Sequence, residues 1–148
     1  MTPRRIAALV GGIVYTGLLL VSTIGPLPQR LVGSEATHGV LSLRSWFELD
    51  TWASGRPLEF IANVAVFVPW GALALVVVGR RRWWIAALGG IALTLAIEIA
   101  QIPLARISDP RDLVANTLGT LIGVAAAVAL APRRVRPPSG AVGVSSNP

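Results

Sequence analysis

Four stretches, each of about twenty mainly apolar residues, dominate the chain. They lie at about 6–25, 59–79, 83–102 and 113–131. A helix of about 20 residues at 1.5 Å rise each covers the hydrocarbon core of a bilayer, and its backbone polar groups are then all satisfied within the segment. The expected fold class is therefore all-α: a polytopic membrane protein built as a four-transmembrane-helix bundle. Composition agrees, since 14% of the 148 residues are charged where soluble chains carry about 25%. The first run is read as a retained helix rather than a signal peptide, because it is too long for an ordinary signal core and no small-x-small cleavage site follows it.

All thirteen basic residues are Arg, and there is no Cys. That removes disulfides, thiolate metal sites and Cys nucleophiles. The Arg residues form short clusters beside the apolar runs instead of one basic stripe, which favours membrane orientation over nucleic acid as the reason for the net charge of +6. Eight Arg residues (4, 5, 80–82, 133, 134 and 136) share one side if all four helices cross, and five (30, 44, 56, 106 and 111) share the other. The positive-inside rule then puts both termini on the cytoplasmic side of the membrane. The seven acidic residues (Glu35, Glu48, Asp50, Glu59, Glu98, Asp109 and Asp112) all fall on the outer side or near the outer helix ends.

Residues 132–148 are rich in Pro, Ser and Gly and are expected to form a disordered basic cytoplasmic tail. In the outer loop 26–58, "LSLRSWFELDTW" places Leu43, Trp46, Phe47 and Asp50 at helical spacing. An interfacial helix and an irregular loop resting on headgroups are both open readings. His38, three residues after Glu35, is the only histidine. Without a second His or a Cys it is read as a loop residue, and no metal or other cofactor is expected.

The polar residues inside the runs carry more information. Glu59 and Asn63, Glu98 and Gln101, and Asp112 and Asn116 are spaced by four, three and four residues, so each pair shares a helix face. With alternating helix directions, Asn63, Glu98 and Asn116 all lie roughly one turn from the outer ends of their helices. Ionisable groups within a span face the protein interior or a wet cavity. The expectation is a polar pocket between spans two, three and four, open to the outside.

Several residues have ordinary structural roles to fill. Asp109 and Pro110 suit an N-cap followed by Pro at the first helical position, and Asp112 at the third position meets free N–H groups. Pro69 interrupts the ladder of span two and either kinks it or frees a carbonyl. Ala115, Gly119, Gly123 and Ala127 form a small-residue stripe expected to pack within the bundle.

"NVAVFVPWG" (Asn63, Pro69, Gly71), "EIAQ" (Glu98, Gln101) and "RISDPRDLVANTLGTLIG" (Arg106, Asp112, Asn116, Gly119, Gly123) together resemble the VanZ-like family over about residues 59–127. Trp70 stands where a smaller aliphatic is usual. The resemblance implies a small multi-span bacterial protein with a cell-envelope role. The family takes its name from a member associated with resistance to the glycopeptide teicoplanin, but the name alone does not make this chain a resistance determinant.

Three functions compete. The first is a non-catalytic protein binding a lipid-linked envelope precursor or a glycopeptide at its outer face. Arg106 and Arg111 would meet anionic oxygens there, with Asn63, Gln101 and Asn116 as amide partners. The second is an intramembrane enzyme using Glu98 and Asp112 as an acid–base pair on a lipid-linked substrate. The third is a small oligomeric transporter or channel with Glu98 as a cation site, which lacks any inverted repeat or matching inner polar residues. They rank in that order, with membrane lipids as further partners and no nucleic acid.

Overall fold

The structure is a computed structural model that describes residues 1–24, 39–53, 56–102 and 108–130. Four long helices make the bundle: α1 (Pro3–Ile24), α4 (Pro57–Val78), α5 (Trp83–Gln101) and α6 (Pro110–Leu130). Two short helices, α2 (Leu43–Phe47) and α3 (Leu49–Ala53), lie between α1 and α4. They are preceded by a 3-10 turn at Gly39–Leu41, and a second one at Arg80–Arg82 leads into α5. The four long helices are each long and apolar enough to cross a membrane. The chain is a multi-pass membrane protein.

Three of these helices begin a few residues before the apolar runs do, and proline explains each case. Pro3, Pro57 and Pro110 are the first residues of α1, α4 and α6. Proline loses nothing at that position, because the N–H it lacks would have no intrahelical acceptor, and its fixed φ suits the helix. At the other end of α4, Gly79 stops the helix with φ 88° and donates its N–H to the Leu75 carbonyl 2.8 Å away.

The closest helix pair is α4 with α6, and small residues permit it. A methyl group added at Gly71 would overlap the Thr120 carbonyl oxygen. At Gly119 it would meet the Val64 carbonyl, and at Gly123 the Val68 carbonyl. Gly90 on α5 likewise faces the Thr120 side chain. The "GTLIG" stripe thus packs within the bundle, against α4. In a bilayer, close packing of this kind replaces the hydrophobic drive that lipid cannot supply. Two apolar clusters fill the spaces: Leu19, Phe67 and Ile97 towards one end, and Leu75, Ala86 and Val124 towards the other.

α1 is fastened to α4 by polar contacts. The Tyr15 hydroxyl donates to the Val66 carbonyl at 2.7 Å, and the Trp70 indole N–H donates to Thr16 Oγ1 at 3.0 Å. Both lie within one turn of Pro69, the proline inside α4. The Trp that replaces a smaller aliphatic therefore serves as a clasp to α1. Between α1 and α4, "LSLRSWFELDTW" forms two five-residue helices that break at Glu48. The Trp46 indole N–H donates to the Val40 carbonyl at 2.9 Å, and that of Trp52 donates to the Trp46 carbonyl at 3.1 Å. Glu35, His38, Arg106 and the 132–148 tail lie outside the described residues.

Gly119→Leu is expected to destabilise the bundle by about 1–3 kcal/mol or more, as overpacking does. Gly17→Ala, where an added methyl meets nothing within 4 Å, should change stability by less than about 0.5 kcal/mol. Unfolding in a detergent titration followed by circular dichroism checks both.

Candidate functional site

The polar residues gather at the end of the bundle where α1 and α5 finish and α4 and α6 begin. The helix α6 sets the frame. Asp109 caps it: its Oδ1 accepts the Arg111 N–H at 2.8 Å, and its carbonyl accepts the Asp112 N–H at 3.0 Å. Pro110, buried, is the first residue of the helix. In a capping box, a carboxylate at the third helical position would reach back to the cap residue's own N–H. Here that N–H is taken from the neighbouring helix. Glu98 of α5 accepts the Asp109 N–H on Oε2 at 3.0 Å.

Glu98 is 1% exposed, among the most buried large side chains in the chain. The Ser108 side chain lies beside it. Ser108 Oγ in turn accepts the Val40 N–H at 3.2 Å, which ties the Gly39–Leu41 turn to the junction of α5 and α6. Glu98 therefore ties α5 to the start of α6. A carboxylate at the positive end of a helix is also electrostatically favourable there.

Asp112 points to α4, and Asn63 Nδ2 donates to its Oδ1 at 2.6 Å. About one turn deeper, Asn116 Nδ2 donates to Thr94 Oγ1 at 2.8 Å, and Thr120 Oγ1 donates to the Asn116 carbonyl at 3.0 Å. Thr94 and Thr120 are fully buried and Asn116 is 5% exposed. Gln101 Nε2 donates to the Thr23 carbonyl of α1 at 3.2 Å. The polar layer thus reaches all four long helices, with α1 as an added participant. Asn63, Glu98, Gln101, Asp112 and Asn116 share this end of the bundle. Arg111 is half-buried at the start of α6. Arg106 falls outside the described residues. Glu59 points outward and pairs with Arg56 at 3.2 Å.

Three hydroxyl residues escaped notice in the sequence: Ser108, Thr94 and Thr120. Spacing holds a signal for two of them. Thr94 lies four residues before Glu98 and Thr120 four after Asn116, so each shares its partner's helix face. Ser108 has no such register, because it precedes the helix.

Not every polar atom is satisfied internally. Gln101 Oε1, Asn116 Oδ1 and Thr117 Oγ1 are buried with no hydrogen-bond partner among the described residues. A buried unpaired polar atom costs about 1–3 kcal/mol, so such atoms call for an occupant that supplies donors. Among the described residues no group of three or more His, Cys, Asp or Glu is arranged to hold a metal ion.

The match to a family model settles the kinship. The VanZ/LLP1 model matches residues 12–131. The chain belongs to the VanZ/LLP1 family. The matched region reaches back to Gly12, so it takes in the second half of α1 and the connection from α1 to α4 as well as the motifs of α4 to α6. No curated protein and no solved structure matches the chain. Within this VanZ-family bundle, the motif residues divide into two groups. Gly71, Gly119 and Gly123 bring α4 and α6 together, while Asn63, Glu98, Gln101, Asp112 and Asn116 form the polar layer at one end.

Glu98→Ala leaves the Asp109 N–H without its acceptor and is expected to cost about 1–3 kcal/mol. Ser108→Ala should cost less in that background than in the native chain, with a coupling of about 0.5 kcal/mol or more. A double-mutant cycle on unfolding free energies checks this, and additive effects would contradict it.

Proposed function

We propose that this VanZ-family protein is a non-catalytic membrane protein that binds a cell-envelope ligand at its extracytoplasmic end. The observation that carries the reading is the set of buried oxygens of Gln101, Asn116 and Thr117, unpartnered among the described residues. Oxygen acceptors without donors match a ligand rich in N–H and O–H groups, such as the sugar and peptide of a lipid-linked precursor or the amides of a glycopeptide. Arg111, with Arg106 four residues after Ile102, supplies cations for phosphate or carboxylate oxygens on the same ligand. Glu98 is engaged at the start of α6, where its Oε2 accepts the Asp109 N–H at 3.0 Å. That ranks the acid–base alternative second. A role in teicoplanin resistance would follow from such binding if the ligand is the drug or its target.

Purified protein mixed with a polyprenyl diphosphate bearing a disaccharide–peptide, and separately with teicoplanin, should retain at least one of them in native mass spectrometry. Gln101→Leu and Arg106→Ala should each weaken that retention about tenfold. Equal retention by both variants would overturn the reading. A hydrolysed product that disappears in Glu98→Gln would replace it with the enzymatic one.

The polar end is assigned to the outside by the arginine distribution, through the positive-inside rule. Because the chain has no Cys, single cysteines report sidedness without background. Ser42→Cys in intact cells should react with a membrane-impermeant maleimide, and Arg81→Cys should react only after permeabilisation. The reverse pattern would invert the orientation.

A further inference from the structure

The opposite end of the bundle carries a different feature. α1, α4 and α5 do not close on one another along their whole length. Between them runs an apolar groove of about 580 Å³, within the range of about 300–1,000 Å³ common for small-molecule sites. Gly12, Thr16 and Gly17 of α1 line one wall, Trp70 and Ala74 of α4 the floor, and Gly89 of α5 the other wall. The α1 glycines differ in kind from those of α4 and α6. A methyl group added at Gly12 or Gly17 would meet nothing within 4 Å. They leave space instead of closing it.

The groove runs down to Val77 and Val78 at the end of α4, and the next residue is Gly79. The Arg5 guanidinium lies over Gly79, with its Nη2 2.7 Å from where a Cβ would stand. Arg80–Arg82 follow at once in a 3-10 turn. The described acidic residues all belong to the other end of the bundle, so no carboxylate of the described chain answers these four cations. An apolar channel thus opens beside a cluster of uncompensated guanidinium groups at membrane-surface depth.

We propose that this groove and its arginines form a site for one anionic phospholipid. An acyl chain lies between α1, α4 and α5, and the phosphate meets Arg5 and the Arg80–Arg82 turn. Guanidinium groups suit phosphate through paired, charge-assisted hydrogen bonds. Trp83 and Trp84, exposed just beyond the turn, stand at headgroup depth, where indoles are favoured. The site lies on a different surface from the polar layer and does not depend on the ligand proposed there.

The test uses the full chain, delipidated in a neutral detergent and titrated with dioleoyl phosphatidylglycerol or dioleoyl phosphatidylcholine under native mass spectrometry. Phosphatidylglycerol should bind at concentrations lower by about 25-fold or more, the ratio expected when at least two surface arginines contribute about five-fold each. Arg5→Gln and Arg81→Gln should each remove about five-fold of that preference. Gly12→Leu and Gly17→Leu fill the groove and should suppress the phosphatidylglycerol adduct while leaving the unfolding midpoint unchanged. Equal binding of the two lipids would overturn the proposal. So would an undiminished adduct in both glycine variants, or a protein dimer seated on the groove in place of lipid.

Discussion

The hydrogen bond from the Asp109 N–H to the Glu98 carboxylate organises one whole end of this bundle. A helix that starts within or near a membrane has orphan N–H groups and no water with which to satisfy them. The solution here draws on two carboxylates. The Asp109 side chain takes the Arg111 N–H of its own helix, and Glu98 of α5 takes the Asp109 N–H. The start of α6 is thereby fixed to α5. Ser108 extends the tie to Val40, and Asp112, one turn into α6, meets Asn63 of α4. The polar layer grows from that junction, with Asn116 and Thr94 below it.

The same constraint explains why polar and small residues alternate along α6. Its face towards α4 carries Gly119 and Gly123, whose hydrogens are all that fit against the Val64 and Val68 carbonyls. Its face towards α5 carries Asn116 and Thr120, next to Thr94 and Gly90. Close backbone approach on one side and hydrogen bonding on the other are the two means by which helices associate where the hydrophobic effect does not act. One helix uses both, and the motif residues of the VanZ family are spread over the two faces.

The helices were legible in the sequence because a bilayer demands about twenty apolar residues and little else does. Their true starts depended on Pro3, Pro57 and Pro110, a local rule that outweighs apolarity at the boundary. Depth placed Asn63, Glu98 and Asn116 at one level, but it did not give the pairing, in which Asn63 meets Asp112 and Asn116 meets Thr94. The role of Glu98 did not follow. Its partner is a backbone N–H in the connection before α6, which leaves no mark in hydrophobic periodicity. Thr94 and Thr120 were hidden for a related reason: a hydroxyl inside an apolar run is cheap and unobtrusive until its register with Glu98 or Asn116 is considered. The groove of α1, α4 and α5 depends on which glycines pack and which do not, and only the assembled bundle separates Gly12 from Gly119.

The most direct test of this account is amide hydrogen exchange at Asp109 in the protein reconstituted in lipid nanodiscs. An N-cap N–H lies outside the helical ladder and would ordinarily exchange fast. With Glu98 as its buried acceptor it should be protected to the same degree as amides in the middle of α6, and Glu98→Ala should abolish that protection while the α6 interior keeps its own. Rapid exchange at Asp109 in the native chain, or protection that survives Glu98→Ala, would contradict the role assigned to this carboxylate.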